Sequence, residues 1–198
     1  MTELDAEVVI VGLGGNVGGD PAILARFAAV VQALEAWSTV RASRVYRTGA
    51  QGPAQADFLN AALAVAAPDG LKASELIREV MAIERTLGRN RALEVRWGPR
   101  PLDLDVLLWG PRQLAYAGPP ALVVPHPRLA ERGFALQPVI DLVGAALRHP
   151  SDGRSLGALL ATVADQRVEL TGYAIAGAVA AVPALDPSAA PSMDPSAS

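Results

Sequence analysis

Residues 89–105 read RNRALEVRWGPRPLDLD, and the fold and chemistry of the chain are most sharply indicated here. The first part of the stretch places four arginines around one tryptophan, Trp97, and these arginines are Arg89, Arg91, Arg96 and Arg100. The last part opens the run LDLDVLL, residues 102–108, in which aspartates alternate with apolar residues. A period of two predicts a strand that carries Asp103 and Asp105 on one face, about 6–7 Å apart.

Two carboxylates on an otherwise apolar strand suggest a bound cation, because burying them without a partner is costly. Mg²⁺ prefers one or two carboxylates together with phosphate oxygens and water, so Asp103 and Asp105 are the candidate metal ligands. Arginine side chains present planar forks that match phosphate, and they stand immediately upstream. The stretch therefore indicates nucleotide phosphate chemistry. The alternative is a structural ion cluster, in which the same arginines neutralise the two aspartates.

The composition is that of one globular domain. The chain has 198 residues, of which 51% are hydrophobic and 19% charged, with a net charge of −3. This length can build one packed core. The acidic balance argues against a general nucleic-acid binder, and the absence of cysteine excludes disulfides and thiolate chemistry. There is no signal peptide and no run of about 18 apolar residues, so we expect a cytoplasmic protein that does not enter a membrane.

The order of the periodic segments predicts a β-α-β-β-α-β unit. A helix is expected from Asp20 and Pro21, which are a capping residue and a first helical residue. The strands expected are 7–13, 39–48, 58–66 and 103–109, the second helix is 74–87, and a short strand at 121–124 and a helix around 134–143 follow. This order matches the ferredoxin-like arrangement, an α+β fold with an antiparallel sheet and packed helices. The C-terminal part would add a further layer, giving α/β/α layers, and His149 is expected in a surface loop.

The periodic pattern ends near residue 165, which sets the expected domain boundary. Residues 1–164 are assigned to the domain that carries the site. Residues 183–198 place proline at 183, 187, 191 and 195 among alanine and serine. Such a segment cannot bury enough apolar surface to offset the entropy lost on ordering. Residues 165–198 are therefore expected to be a disordered tail.

Four ordered runs of the sequence resemble one family. YRTGAQGPAQADFLNAAL, IERTLGRNR, RWGPRPLDLDVLLWG and VPHPRLAERGFALQP are similar to the 6-hydroxymethyl-7,8-dihydropterin pyrophosphokinases of folate biosynthesis. RWGPRPLDLD with VPHPRLAERGF downstream is the most specific part of the resemblance. It implies transfer of the pyrophosphoryl group of ATP to the pterin hydroxymethyl oxygen, with release of AMP.

The resemblance also implies a role for each matched residue. Asp103 and Asp105 would hold two Mg²⁺ ions that bridge the ATP phosphates, and with Arg89 and Arg100 they would be the catalytic residues. The residues implied in ATP binding are Arg89, Arg91, Trp97, Arg100, Val106, His126 and Arg132. Those implied in pterin binding are Thr48, Phe58, Asn60, Trp97 and Phe134. We expect a monomer whose partners are ATP and the pterin, without nucleic acid.

Two other functions fit the same residues. A nucleotidyltransferase also combines a glycine-rich turn, here GLGGNVGG at residues 12–19, with two aspartates on a strand, but it releases pyrophosphate. A non-catalytic ferredoxin-like binding module would carry the aspartates and arginines incidentally. The identity of the products separates the first alternative, and dependence on a metal separates the second.

Overall fold

The computed structural model describes residues 4–50, 54–90 and 98–181. Its strands are β1 (Val8–Gly15), β2 (Arg41–Ala42), β3 (Tyr46–Thr48), β4 (Phe58–Ala66), β5 (Asp103–Trp109), β6 (Leu114–Tyr116), β7 (Leu122–Val124), β8 (Val168–Leu170) and β9 (Val179–Ala180). Its helices are α1 (Gly19–Leu34), α2 (Ala73–Thr86), α3 (Gly133–Val143) and α4 (Leu156–Ala161), with a 3-10 turn at Leu129–Glu131. Within the described ranges, no helix is both long and apolar enough to cross a membrane.

The main sheet is built around β1, which pairs antiparallel with β4 on one side and β5 on the other. The strand order is β5-β1-β4-β2-β9, with β3 also paired to β4, and β8 paired to β3. The pair β2–β9 is parallel, and the other pairs of this sheet are antiparallel. β6 and β7 form a separate hairpin. The strands expected at 58–66 and 103–109 are confirmed as β4 and β5.

Alternation along the strands divides the core between two faces of the sheet. Val9, Val11 and Leu13 of β1 lie in one cluster with buried residues of α1 and α2. Ile10 of the same strand lies in a second cluster with buried residues of α3 and α4. The sheet therefore has helices on both faces, and the expected α+β class is confirmed.

Residues 39–48, expected as one strand, form the two short strands β2 and β3. Between them the Ser43 hydroxyl accepts a hydrogen bond from the amide of Ala62 at 2.8 Å, where a backbone carbonyl would serve in a regular ladder. The next amide, that of Arg44, donates to the carboxylate of Asp141 at 3.1 Å. The amide of Ser43 still donates to the carbonyl of Ala62 at 2.9 Å, so a side chain replaces one ladder bond at each of these two residues. An alternation pattern does not reveal such a replacement.

The expected capping role of Asp20 is wrong. Helix α1 begins at Gly19 and its N-cap is Gly18, in the left-handed conformation with φ 95°. The Asp20 carboxylate accepts hydrogen bonds from Arg47 Nη2 at 2.6 Å and from the Tyr173 hydroxyl at 2.8 Å. Both bonds go to Oδ2, so the carboxylate binds two partners distant in sequence instead of capping the helix.

The ordered part of the chain extends beyond residue 165, which corrects the expected start of the tail. β8 pairs with β3, and β9 pairs with β2. Ile175 is buried in the core cluster that contains α1 and α2. These strands are only two or three residues long, too short for an alternation to show. The rest of the expected tail, residues 182–198, lies outside the described residues.

His149 is buried, whereas the sequence analysis expected it at the surface. It is 6% exposed, and its Nδ1 accepts a hydrogen bond from the amide of Asp152 at 3.1 Å. The loop that follows folds back on the ring, with the amide of His149 donating to the carbonyl of Arg154. A closed loop of this kind buries a residue that the sequence pattern leaves outside any helix or strand.

Candidate active site

A cleft of about 260 Å³ opens on the face of the sheet that α3 covers, near the start of that helix. The strands place polar residues there by alternation. Asn60 shares a face with Ala62, which packs in the cluster of α3, and Asp103 and Asp105 share a face with Leu107. The lining residues include Gly12, Gly14, Thr48, Phe58, Asn60, Arg100, Asp103, Asp105, Arg128, Arg132 and Phe134.

Asp103 is held by two arginines from the stretch 89–105. Its Oδ1 accepts a hydrogen bond from Arg89 Nη1, and its Oδ2 accepts one from Arg100 Nη1 at 2.7 Å. Burial would raise the pKa of Asp103, but the charges of Arg89 and Arg100 outweigh burial and hold that pKa below its ordinary value. Asp103 is therefore ionised at neutral pH. The pairing of aspartate with arginine, weighed from the sequence as an alternative, is present at this residue.

A buried glutamate supports Arg89, and the sequence analysis did not identify it. Glu84 of α2 accepts hydrogen bonds from Arg89 Nη1 and from the amide of Leu104 at 2.8 Å. Its side chain is 1% exposed. The carboxylate thereby fixes Arg89 between α2 and β5. The position of Glu84 in the sequence could have indicated burial. Leu76, Val80 and Glu84 are each four residues apart and share one face of the helix, so Glu84 places a charge in an apolar stripe.

Asp105 lies in a different electrostatic environment from Asp103. Its Oδ2 is 3.5 Å from Arg132 Nη1 and 3.9 Å from His126 Nε2. Burial raises the pKa of Asp105, and the neighbouring charge of Asp103 raises it further. A cation between the two carboxylates would relieve this repulsion.

The two carboxylates fit a hard divalent ion. Among the residues that the structure describes, no group of three or more histidine, cysteine, aspartate or glutamate side chains could enclose a metal. An ion held by Asp103 and Asp105 would therefore complete its coordination with water and phosphate oxygens, which is the arrangement that Mg²⁺ prefers.

His126 is neutral and fixed in one tautomer. Its Nδ1 accepts a hydrogen bond from the amide of Arg128 at 3.1 Å. Burial, reinforced by the charges of Arg132 and Arg128, lowers the pKa of His126 to about 4. The proton of the neutral ring is therefore on Nε2, which faces Asp105. At neutral pH this ring can donate a hydrogen bond to a phosphate oxygen but adds no charge.

An amide and two aromatic rings border the same part of the cleft. Asn60 Nδ2 donates a hydrogen bond to the Thr48 hydroxyl at 2.7 Å, and both residues are buried. Gly14 faces Asn60 across the β1–β4 pair, and a Cβ at that glycine would lie 3.1 Å from Asn60 Oδ1. Phe58 and Phe134 line the same cleft. The structure thus brings together the four described residues that were expected to contact a flat heterocycle.

Asn16 links Arg100, which lines the cleft, to the segment that leads to Phe58, and the sequence analysis did not identify it either. Its Oδ1 accepts a hydrogen bond from the amide of Arg100 at 2.8 Å. Its Nδ2 donates to Gln55 Oε1 at 3.0 Å and to the carbonyl of Ala56 at 2.9 Å. The available signal was its position, since Asn16 is the one polar residue in GLGGNVGG.

Three described residues that were expected to bind ATP do not line the cleft. Arg89 and His126 lie behind it, beside Asp103 and Asp105 respectively. The side chain of Val106 is buried on the opposite face of the sheet, in the cluster of α1 and α2, so only its backbone could contact a nucleotide. Arg91, Arg96 and Trp97 lie outside the described residues.

Comparisons with known proteins place the chain among the pterin pyrophosphokinases. The model of the 7,8-dihydro-6-hydroxymethylpterin-pyrophosphokinase (HPPK) family matches residues 10–144. A Synechocystis protein named 2-amino-4-hydroxy-6-hydroxymethyldihydropteridine pyrophosphokinase is 38% identical over 133 residues, which span 67% of this chain and 65% of that protein. A Pseudomonas aeruginosa protein of the same name is 38% identical over 163 residues, spanning 81% of this chain and 94% of that protein.

A solved structure shares the fold. The crystal structure of wild-type Plasmodium falciparum HPPK-DHPS with pteroate has a TM-score of 0.62, and the match covers 81% of this chain and 45% of that chain. The sequence identity is 11%, so this likeness concerns the fold alone. All the cleft residues named above lie within the matched residues 10–144.

Proposed function

Because the chain belongs to the 7,8-dihydro-6-hydroxymethylpterin-pyrophosphokinase family, we propose that it transfers the pyrophosphoryl group of ATP to 6-hydroxymethyl-7,8-dihydropterin in folate biosynthesis. The hydroxymethyl oxygen attacks the β-phosphorus of ATP. A bond forms between them, the bond from the β-phosphorus to the bridging oxygen of AMP breaks, and the hydroxyl proton is released. The observation that carries the proposal is one cleft that holds both the Asp103–Asp105 pair and the Asn60–Thr48 pair.

Positioning and charge are what the protein contributes to this reaction, since phosphoryl transfer needs little covalent help. Arg100 and Arg132 offer guanidinium groups beside the carboxylates, and His126 offers a neutral Nε2–H donor. Their combination suits a long phosphate chain that is held at several points. Asp103 and Asp105 would hold two Mg²⁺ ions, which when bound offset phosphate charge and orient the attacking hydroxyl.

The pterin side of the cleft is built for a flat ring with an amide-like edge. Thr48 takes one N–H of Asn60 and thereby fixes which way the amide points. The fixed amide presents hydrogen-bonding groups to the ring edge, and Phe58 and Phe134 offer apolar faces. Arg91, Trp97 and the backbone of Val106 remain predicted contacts of ATP, and Trp97 is also a predicted contact of the pterin.

The fold and setting of the protein complete the proposal. We propose that the sheet is ferredoxin-like, because the order β5-β1-β4-β2 and the placement of α1 and α2 follow the β-α-β-β-α-β arrangement. We propose that the catalytic domain includes β8 and β9 in addition to residues 1–164, because these strands pair with β3 and β2. We also propose that the protein is a monomer that acts in the cytoplasm, where ATP is available.

Product analysis tests the proposal. The purified protein with ATP, Mg²⁺ and 6-hydroxymethyl-7,8-dihydropterin should give AMP and the pterin diphosphate in equal amounts, as followed by phosphorus NMR. Free pyrophosphate with an adenylated acceptor would instead identify a nucleotidyltransferase. Binding of both ligands without turnover would identify a non-catalytic module.

A further inference from the structure

Gln166 holds both ends of the turn that carries Arg132 into the cleft. Its Oε1 accepts a hydrogen bond from the amide of Gly133 at 2.8 Å, and its Nε2 donates one to the carbonyl of Glu131 at 2.8 Å. These two residues flank Arg132, whose guanidinium lies 3.5 Å from the carboxylate of Asp105. One side-chain amide therefore fixes the backbone on both sides of a cleft arginine.

Gln166 also serves the start of α3. The first N–H groups of a helix have no partner within the helix, and the N-cap residue Arg132 makes no side-chain cap here. The acceptor at Gly133 is supplied by Gln166 instead. The next residue is Phe134, which lines the cleft. The contact is close, since a Cβ at Gly133 would lie 3.3 Å from Gln166 Oε1.

The residues after Gln166 support the opposite wall of the cleft. In the β3–β8 pair, Val168 lies opposite Thr48, and Thr48 lies opposite Phe58 in the β3–β4 pair. Arg167 forms an ion pair with Asp57, next to Phe58, at 3.0 Å. Residues 166–168 therefore contact the residues on either side of Arg132 at one wall of the cleft, and Thr48 and Asp57 at the other.

We propose that residues 166–168 are a positioning element for the site and that Gln166 is its principal residue. The proposal rests on the pyrophosphokinase function proposed above. None of the three residues lines the cleft, and all lie beyond the residues 10–144 that the family model matches. They act through Arg132, Phe134 and Thr48. The ion pair of Arg167 is largely exposed and contributes little, so the two specific bonds of Gln166 carry most of the effect.

The test compares Gln166→Leu and Gln166→Glu with the wild-type protein. Leucine removes both hydrogen bonds at similar volume, whereas glutamate keeps the acceptor for Gly133 and loses the donor to Glu131. In the leucine variant, the KM for the pterin and the KM for ATP should rise about three- to tenfold, which corresponds to the loss of one or two hydrogen bonds. The glutamate variant should show a smaller rise in both KM values. In both variants kcat should change by a smaller factor than KM, and Tm should change little.

The matched control is Gln113→Leu. The side chain of Gln113 donates a hydrogen bond of the same kind, to the carbonyl of Pro150 at 2.8 Å, and it does not line the cleft. Its substitution should leave both KM values unchanged. An equal rise of KM in this control would show that loss of any such bond disturbs the site and would overturn the proposal.

A second readout does not depend on activity. Amide exchange at Gly133, followed by NMR, should be faster in Gln166→Leu than in Gln166→Glu, because only glutamate keeps the acceptor. If the wild-type protein forms no AMP, the proposed function fails while this exchange still tests the positioning role. Unchanged exchange at Gly133 in the leucine variant, or unchanged KM in an active enzyme, overturns the positioning role.

Discussion

Asp103 and Asp105 stand two residues apart on β5 but differ in their effect on the fold. Arg89 and Arg100 stabilise the charge of Asp103, whereas burial and the charge of Asp103 disfavour the charge of Asp105. One carboxylate is thus compensated by the protein itself, and the other depends on what binds beside it. The same substitution at the two positions should therefore have different effects on stability.

Replacing each aspartate by asparagine tests this difference. Asp103→Asn should lower the free energy of unfolding by about 1–3 kcal/mol, because two arginines lose a charged acceptor. Asp105→Asn should leave it unchanged or raise it, because a repulsion disappears. Both should lower turnover about 100-fold or more, since each removes a carboxylate from the proposed metal pair. Urea denaturation and AMP formation are the measurements, and near-normal Mg²⁺-dependent turnover in either variant contradicts the metal-ligand role.

Glu84 should matter more for stability than any exposed glutamate of α2. In Glu84→Leu, the buried Arg89 and the amide of Leu104 lose their shared acceptor. The expected loss is about 3 kcal/mol, as for breaking a buried ion pair. Glu79→Leu, at an exposed position of the same helix, is the matched control and should change stability little. Equal losses of unfolding free energy in the two variants, measured by urea denaturation, would mean that the buried Glu84–Arg89 pair contributes no more to stability than an exposed glutamate.

At the scale of elements, α3 is attached to the sheet near both of its ends. Gln166 binds its first residue, Gly133, and near its other end the carboxylate of Asp141 accepts hydrogen bonds from Arg44 Nη2 at 2.5 Å and the Tyr46 hydroxyl at 2.9 Å. The first contact comes from the segment that precedes β8, and the second from Arg44 between β2 and β3 and from Tyr46 of β3. The position of α3, and with it one wall of the cleft, depends on short elements at the edge of the sheet.

Truncation tests the contribution of the last elements. A chain ending at residue 164 lacks β8, β9 and the buried Ile175, whereas a chain ending at residue 181 keeps every described element. The shorter chain should be less stable by about 2–5 kcal/mol, mainly through lost apolar burial, and should expose β3 as a sheet edge. Thermal denaturation of the two chains is the measurement. Equal Tm values would restore residue 164 as the boundary of the fold.

Elements with strong periodicity were predictable, and those made by distant side chains were not. β4 matches its predicted range because it is a run of nine mostly apolar residues, and β5 because its first residues alternate between polar and apolar. The break at Ser43 and the role of Asp20 depend on Asp141 and Tyr173, partners that local sequence does not identify. For the site, residue types and motif order predicted side chains that the structure brings to one cleft, among them Asn60, Asp103 and Arg132. Glu84, Asn16 and Gln166 act through other residues and carried only weak signals.

At the scale of the whole molecule, the stability should fall on mild acidification. Burial lowers the pKa of His149, opposed by the charge of Asp152 and reinforced by that of Arg154. The unfolded histidine titrates near pH 6.5, so the unfolded state binds more protons below that pH. The stabilisation is therefore complete above about pH 6.5 and is lost as the pH falls towards the folded pKa.

The substitution His149→Gln isolates this contribution, because glutamine can still accept from the amide of Asp152 but does not titrate. Between pH 7 and pH 5, the wild-type protein should lose more free energy of unfolding than the variant. Urea denaturation at the two pH values gives both losses. His126, whose pKa is lowered to about 4, stays in both proteins and accounts for part of the common slope. Identical losses would contradict a neutral His149 in the fold.

The hydrogen bonds of Asn16 have a consequence for how the cleft opens. One side chain bonds the amide of Arg100, which lines the cleft, and also bonds Gln55 and Ala56 in the segment that leads to Phe58, so these two segments are linked. Their slow fluctuations should form one collective motion, and relaxation-dispersion NMR should give the amides of Arg100 and Ala56 a single exchange rate. Asn16→Ala should separate that rate into two. In the wild-type protein the segments on either side of Asn16 then open together, and the proposed substrates ATP and pterin would enter the cleft in one opening event.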